Sequence, residues 1–524
     1  MRIKRSVIEA VTSPTKLKKV HFFASAKDRT YACHPQTEAT TNPNNATMSA
    51  AAPPPIKIVP PGPREVVSPE RAQEFVNHWT QQLLDHRVKV QEALNDDDVN
   101  NTVLCDRISL TNKSYTPEAA EIIANFLKEP FEGGLPITYG IVEANLSDMI
   151  ASQLTEQGLK VLRTICDAFA DSELVEVDLS DNAVGEQGIG ACRVVVNKSS
   201  LKALSLNNMG MAHETLSEVA DILTNDEYGN GCIAERLTKF HYFNNMSGIE
   251  GCKAFARILE KSRDLVDLRF SSTRARQEGT DILAGALDAC MMNERNANLQ
   301  RLDLCDNQFG NKPSQEALFR ILGATKSLTY LNLCDCSLGD DGVKKVCHAL
   351  FESDSQLEHL DLSANELSRK GAKHVADFIR DCEGLKVLRM EDNEITSKGV
   401  ELLAQAFHRG EDGIAIEEIQ LNCNMIGALG ARALIDAAGP DGSDMPNLRL
   451  IQLNNNSFAS DVMSELEAAF GNKLGEMDEN DSDGEADDDL SSDEEDSDSD
   501  EEGEAEGDRK VDALTDALEK SLIV

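Results

Sequence analysis

No Cys-x-x-C pair occurs among the 13 cysteines of this 524-residue chain. A zinc ribbon or a redox dithiol therefore has no ligands to build on. Cys305, Cys334, Cys336 and Cys423 fall inside a repeating pattern as small apolar fillers, a usage that fits a reducing compartment. Basic charge is short as well: 51 Lys and Arg face 91 Asp and Glu, a formal net charge of −40. Phosphate contacts need basic surface, so nucleic-acid binding is excluded and a basic protein partner is favoured. No apolar run approaches the roughly 18 residues of a membrane span, which argues against membrane insertion. Catalytic motifs are missing too. The chain has no G-x-x-x-x-G-K-[ST], no H-E-x-x-H and no G-x-S-x-G. His213 and Glu214 lack the second histidine of a zinc motif, and His241 sits within a strand segment as a surface residue. The chain is expected to have no enzyme site of its own.

A repeat of about 28–30 residues runs through the middle of the chain. Its members include "LVEVDLSDNAVG" from Leu174, "LQRLDLCDNQFG" from Leu299, "LEHLDLSANELS" from Leu357 and "LRLIQLNNNSFA" from Leu448. Weaker copies, among them "LKALSLNNMG" from Leu201, bring the number to about twelve. In L-x-L, alternate side chains face opposite sides of a short strand, so the leucines enter the core. The asparagine at the turn satisfies backbone groups that its neighbours leave unpaired. The segment after each strand has helical periodicity, as with Val375, Phe378 and Ile379. One strand and one helix cannot bury their apolar faces alone, so the units stack. The pattern predicts an α/β leucine-rich-repeat solenoid over residues 100–472, a horseshoe of the ribonuclease-inhibitor type. Leu360, Leu362 and Asn365 are structural in this reading.

The flanks differ in composition. Residues 1–63 read as a disordered leader and a Pro-rich linker, with Met48 as an alternative start, and residues 64–99 as a helical N-terminal cap carrying the apolar stripe Phe75, Trp79, Leu83. From Glu476 to Asp508 there are 20 acidic residues and no basic one, so 473–508 is expected to be a disordered acidic tail. Ser491, Ser492, Ser497 and Ser499 in it suit an acidophilic kinase. Residues 509–524 form a short amphipathic helix in this reading, with Val511, Leu514 and Leu518 near one face.

Four stretches go beyond generic repeat sequence: "ISLTNKSYTPEAA" (108–120), "VDLSDNAVGEQG" (177–188), "FHYFNNMSGIEGCKA" (240–254) and "RFSSTRARQEGTDIL" (269–283). Together with "GALGARAL" (427–434) and the acidic tail, they resemble the RanGAP family, activators of the small GTPase Ran, in its plant-type form but without a Trp-Pro-Pro domain. The resemblance implies a protein that accelerates GTP hydrolysis in trans by ordering Ran's own glutamine, without an arginine finger. GTP and magnesium would belong to the partner, leaving this chain no cofactor or metal of its own. The family's assisting asparagine stands just before the turn position of an early repeat, and here that residue is Asn208. Asp148, Asp181 and Asn182 are expected to meet basic residues of the partner, and Gln153, Asn244 and Arg274, the last two from the motifs that carry the likeness, are expected to bind it as well. Gln153 stands where the family usually has an arginine. The implied partner is Ran-GTP, alone or with a Ran-binding protein. The implied setting is a monomer in the cytoplasm or near the nucleus, supporting nucleocytoplasmic transport.

Two other readings use the same residues. A histone or nuclear chaperone fits the acidic tail but has shorter and fewer repeats. A ribonuclease-inhibitor-like binder fits the repeat length and the cysteines but lacks the tail.

Overall fold

The leucine-bearing segments are short parallel strands, and each is followed by a helix. The computed structural model describes residues 53–94, 102–183, 185–226, 231–292, 298–407, 415–439 and 443–480, all within one compact unit, Ala51–Val524. The expected leader, the acidic segment beyond Asn480 with its four serines, and the expected C-terminal helix lie outside these residues. The described chain is an α/β leucine-rich-repeat solenoid with a 13-stranded sheet, in which each strand pairs in parallel with those of the adjoining repeats, while the two-residue strands Val66–Val67 and Ser114–Tyr115 pair with each other apart from it. Such a sheet needs a helical crossover after each strand. The helices Gly248–Lys261 and Arg276–Met291 are two of these, packed side by side. Register is one-to-one: Leu302 faces Leu331, which faces Leu360 and then Leu388. All four are completely buried.

The helices begin where the sequence supplies caps. The Ser368 hydroxyl accepts from Lys370 N ahead of the helix Arg369–Asp381, and Asn311 accepts from Ser314 N ahead of Lys312–Ala324. Among the described residues, no helix is long and apolar enough to cross a membrane.

Turn asparagines form a ladder behind the strands. Asn365 donates to the carbonyls of Leu333 and Leu362 at 2.8 and 3.1 Å and accepts from Cys336 N and Leu338 N at 3.1 and 3.2 Å. Asn393, Asn424 and Asn456 do the same one repeat further on. Some rungs use another residue. Cys336 donates its Sγ–H to Leu304 O, and Met209 fills its rung as apolar bulk. The buried Lys113 reaches the carbonyls of Gly62 and Pro63 and the carboxylate of Glu65.

The residue just before each rung adopts the left-handed conformation. The series runs from Asn112 (φ 60°) through Asp148, Asp181, Asn208 and Asn244 to Asn455 (φ 56°). This turn sends the chain from strand to helix, and asparagine and aspartate tolerate it best after glycine. Ala364 holds it at φ 55° with no side chain able to compensate. Ala364→Gly is therefore expected to raise stability by roughly 0.5–1 kcal/mol. Urea unfolding measures the change, and a loss of stability would show that this turn carries no strain.

Both ends of the array extend beyond the expected boundaries. Ile56–Ile58, expected within a linker, is the edge strand and pairs in parallel with Cys105–Ser109. The helix Pro69–Leu94 covers this end: Phe75, Trp79 and Leu83 are buried, and the Trp79 indole N–H donates to Val59 O at 3.0 Å. At the other end, a tail expected to begin at 473 instead continues the repeat as far as Asn480. Leu474 bridges to Ile451, and Asn480 accepts from Asn456 N at 2.9 Å as one more rung.

Candidate functional site

Neighbouring strands in a sheet lie about 4.8 Å apart, so residues at the same position of successive repeats touch. The left-handed residues are also tied rung to rung through the backbone. Asp148 N donates to Ser180 O, Asp181 N to Asn207 O, Asn208 N to Phe243 O, and Asn244 N to Ser271 O, at 2.7 to 3.1 Å. Their side chains therefore form a fixed row along one edge of the early repeats. Within it, Asn208 Nδ2 donates to Asp181 Oδ1 at 2.9 Å, and Asn208 Oδ1 accepts from Asn244 Nδ2 at 3.0 Å. Asp181, Asn208 and Asn244 are all exposed.

Beside the row lies an open depression of about 460 Å³ lined by Arg64, Asp148, Gln153, Asp181 and Asn208, with Ile150, Leu154 and Gly158 among its apolar wall. It gathers four of the residues expected from sequence. Gln153 is half-buried and donates its amide to Ser114 Oγ at 3.2 Å. Asp148 accepts from the Arg64 guanidinium at 2.7 Å. Burial raises the Asp148 carboxyl above its ordinary range; Arg64 opposes that shift and the nearby Asp181 charge adds to it.

Asn244 joins the site through Asn208, although it does not line the depression. Arg274 is exposed in the turn before the helix Arg276–Met291, also at a left-handed position (φ 62°), and its side chain pairs with no described residue. Asn182 requires a correction. It is fully buried, donating to the carbonyls of Leu146 and Leu179 at 2.7 and 2.9 Å and accepting from Met149 N at 3.0 Å. A rung of the ladder faces the interior, so Asn182 holds repeats together and presents nothing to a partner. The sequence pattern carried that signal, because Asn182 occupies the turn position and Asp181 the free one before it.

Arg64 was not anticipated. It lies next to Pro63 in a stretch whose prolines gave no sign of a site, and it reaches across 84 residues of chain to Asp148. Lys113 and Arg71 position it by gripping Gly62, Pro63 and Glu65. More than half of the Arg64 side chain is exposed, so Arg64→Ala is expected to cost less than about 1 kcal/mol of stability. The same change removes the cation that opposes the upward shift of Asp148. Its carboxyl is expected to titrate at higher pH in a carbon-detected NMR titration, and an unchanged midpoint would show that the ion pair does not persist in solution. Among the described residues, no group of three or more His, Cys, Asp or Glu side chains is placed to hold a metal ion.

Comparison with known proteins gives three kinds of likeness. A leucine-rich-repeat family profile matches residues 326–347 and 382–404. A curated relative, the RAN GTPase-activating protein 1 of Arabidopsis thaliana, is 33% identical over 91 residues, which is 17% of this chain and 16% of that protein. The match thus spans about a sixth of the relative's length. Among solved structures, a chain of the yeast Rad7 and Elc1 complex aligns over 78% of this chain and 85% of its own, with 14% identity and a TM-score of 0.41. A chain of the TLR13–ssRNA13 complex aligns over 70% and 58%, with 12% identity and a TM-score of 0.30. The profile matches fall on two of the repeats described above, and the described residues form an array of leucine-rich repeats.

Proposed function

We propose that this protein is a GTPase-activating protein for Ran, acting in trans through Asn208. The observation that carries the reading is the Asn208 side chain. It is exposed on the edge of the early repeats, fixed by neighbours on both sides, and borders an open depression. The local likeness to an Arabidopsis protein named for activating Ran supports the choice of partner.

A small GTPase is slow because its attacking water is poorly placed and charge in the transition state is poorly stabilised. A primary amide can donate and accept together, which suits holding a partner's glutamine amide in one orientation. Holding reacting groups in a productive geometry lowers the barrier without new chemistry. Arg64 is engaged by Asp148 in this scheme, and the group the activator supplies is the Asn208 amide. GTP and magnesium stay with Ran, and the biological role is support of nucleocytoplasmic transport from the cytoplasm.

The test is single-turnover hydrolysis of GTP preloaded on Ran, with this protein in excess. The proposal expects phosphate release well above the rate of Ran alone. An unchanged rate would refute it and favour a binding protein without catalytic effect.

A further inference from the structure

The hydrogen bonds around Asn208 restrict it more than its exposure suggests. An amide side chain has nearly the same shape when its nitrogen and oxygen are exchanged, so sterics alone do not choose between the two orientations. Here the neighbours choose. An ionised carboxylate only accepts hydrogen bonds, so the Asn208 atom facing Asp181 has to be Nδ2. The atom facing Asn244 is then Oδ1, and Asn244 has to donate to it. One hydrogen-bond chain therefore runs in a single direction, from Asn244 through Asn208 to Asp181. The backbone of all three is pinned in the left-handed turn, so the chain cannot relax by shifting a rung.

We infer that Asp181 and Asn244 are positioning residues that set which way the Asn208 amide faces. This rests on the proposed role of Asn208 and deepens it. One N–H and one lone pair of Asn208 remain unused, and their directions follow from the two bonds already made. Those are the groups available to a partner's amide. Asp181 and Asn244, expected from sequence to touch the partner, act through Asn208 instead.

The arrangement is testable by exchanging its two ends. In the double variant Asp181→Asn/Asn244→Asp the net charge and side-chain volumes are kept, and the carboxylate moves to position 244. The hydrogen-bond chain then runs backwards, and the Asn208 amide inverts while staying just as well ordered. With Ran-GTP as substrate, kcat of the double variant is expected to fall to within a few-fold of Asn208→Ala. KM and melting temperature should stay near those of the parent. A merely structural role for positions 181 and 244 would leave kcat intact in this charge-balanced, isosteric exchange. Full kcat in the double variant would overturn the inference.

A readout that does not depend on Ran separates the two claims. Coupling across the hydrogen bond, from ¹⁵Nδ2 of Asn208 to the carboxylate carbon, is expected to reach residue 181 in the parent and residue 244 in the double variant. If the parent fails to accelerate Ran, the proposed function falls while this coupling still tests the orientation. No switch of coupling between the two positions would overturn the orientation itself.

Discussion

Asn208→Ala is expected to lower the stimulated rate of GTP hydrolysis by about 10²–10³-fold, the range seen when one preorganised polar group is removed from a transition state. The fold should be unaffected. Asn208 is exposed and, among the described residues, its side chain bonds to Asp181 and Asn244, both exposed as well, so the expected loss of stability is that of asparagine's tolerance of the left-handed turn, roughly 1 kcal/mol. Alanine already occupies the equivalent left-handed position at Ala364, so the turn still forms with that residue, at the modest strain described above. Phosphate release and urea unfolding, measured on the same preparation, check both halves. Loss of activity together with loss of structure would assign Asn208 to the scaffold.

Asn182→Ala should do the opposite. Its amide serves the carbonyls of Leu146 and Leu179 and the amide of Met149, all within the interior. Truncation leaves those groups unpaired where water does not reach. At about 1–3 kcal/mol for each orphaned group, a total loss of roughly 3–5 kcal/mol is expected. That is a large part of the stability of an ordinary domain. Activity lost by this variant should return when temperature or denaturant is lowered enough to refold it. A variant that is fully folded but inactive would mean that Asn182 meets the partner after all. The two asparagines lie on adjacent repeats, one at the turn position and one just before it, and that one-residue offset decides between scaffold and site.

Much of the fold was legible because burial and spacing are the same fact in a repeat. A leucine at every other position of a three-residue strand has one place to go, so Leu302, Leu331 and Leu360 could be placed from sequence. The edge strand Ile56–Ile58 could not, since prolines surround it and an edge strand and an extended linker have nearly the same backbone dihedrals. The pairing of Asp181 with Asn208 was also out of reach. It joins residues 27 apart, and only the register of neighbouring strands brings them together. Arg64 was hidden for a related reason. Its position depends on a buried lysine at a rung where the consensus has asparagine, and the letter Lys113 alone says nothing of what its ammonium grips.

The proposed function requires one molecule of this protein to turn over many molecules of Ran-GTP. Substoichiometric protein added to excess Ran-GTP separates a catalyst from a binder, because a binder affects no more Ran than its own amount. The expected result is continued phosphate release until the GTP on Ran is exhausted, with the rate proportional to added protein and abolished in large part by Asn208→Ala. Release that stays at the rate of Ran alone, or that stops after one equivalent, would contradict it.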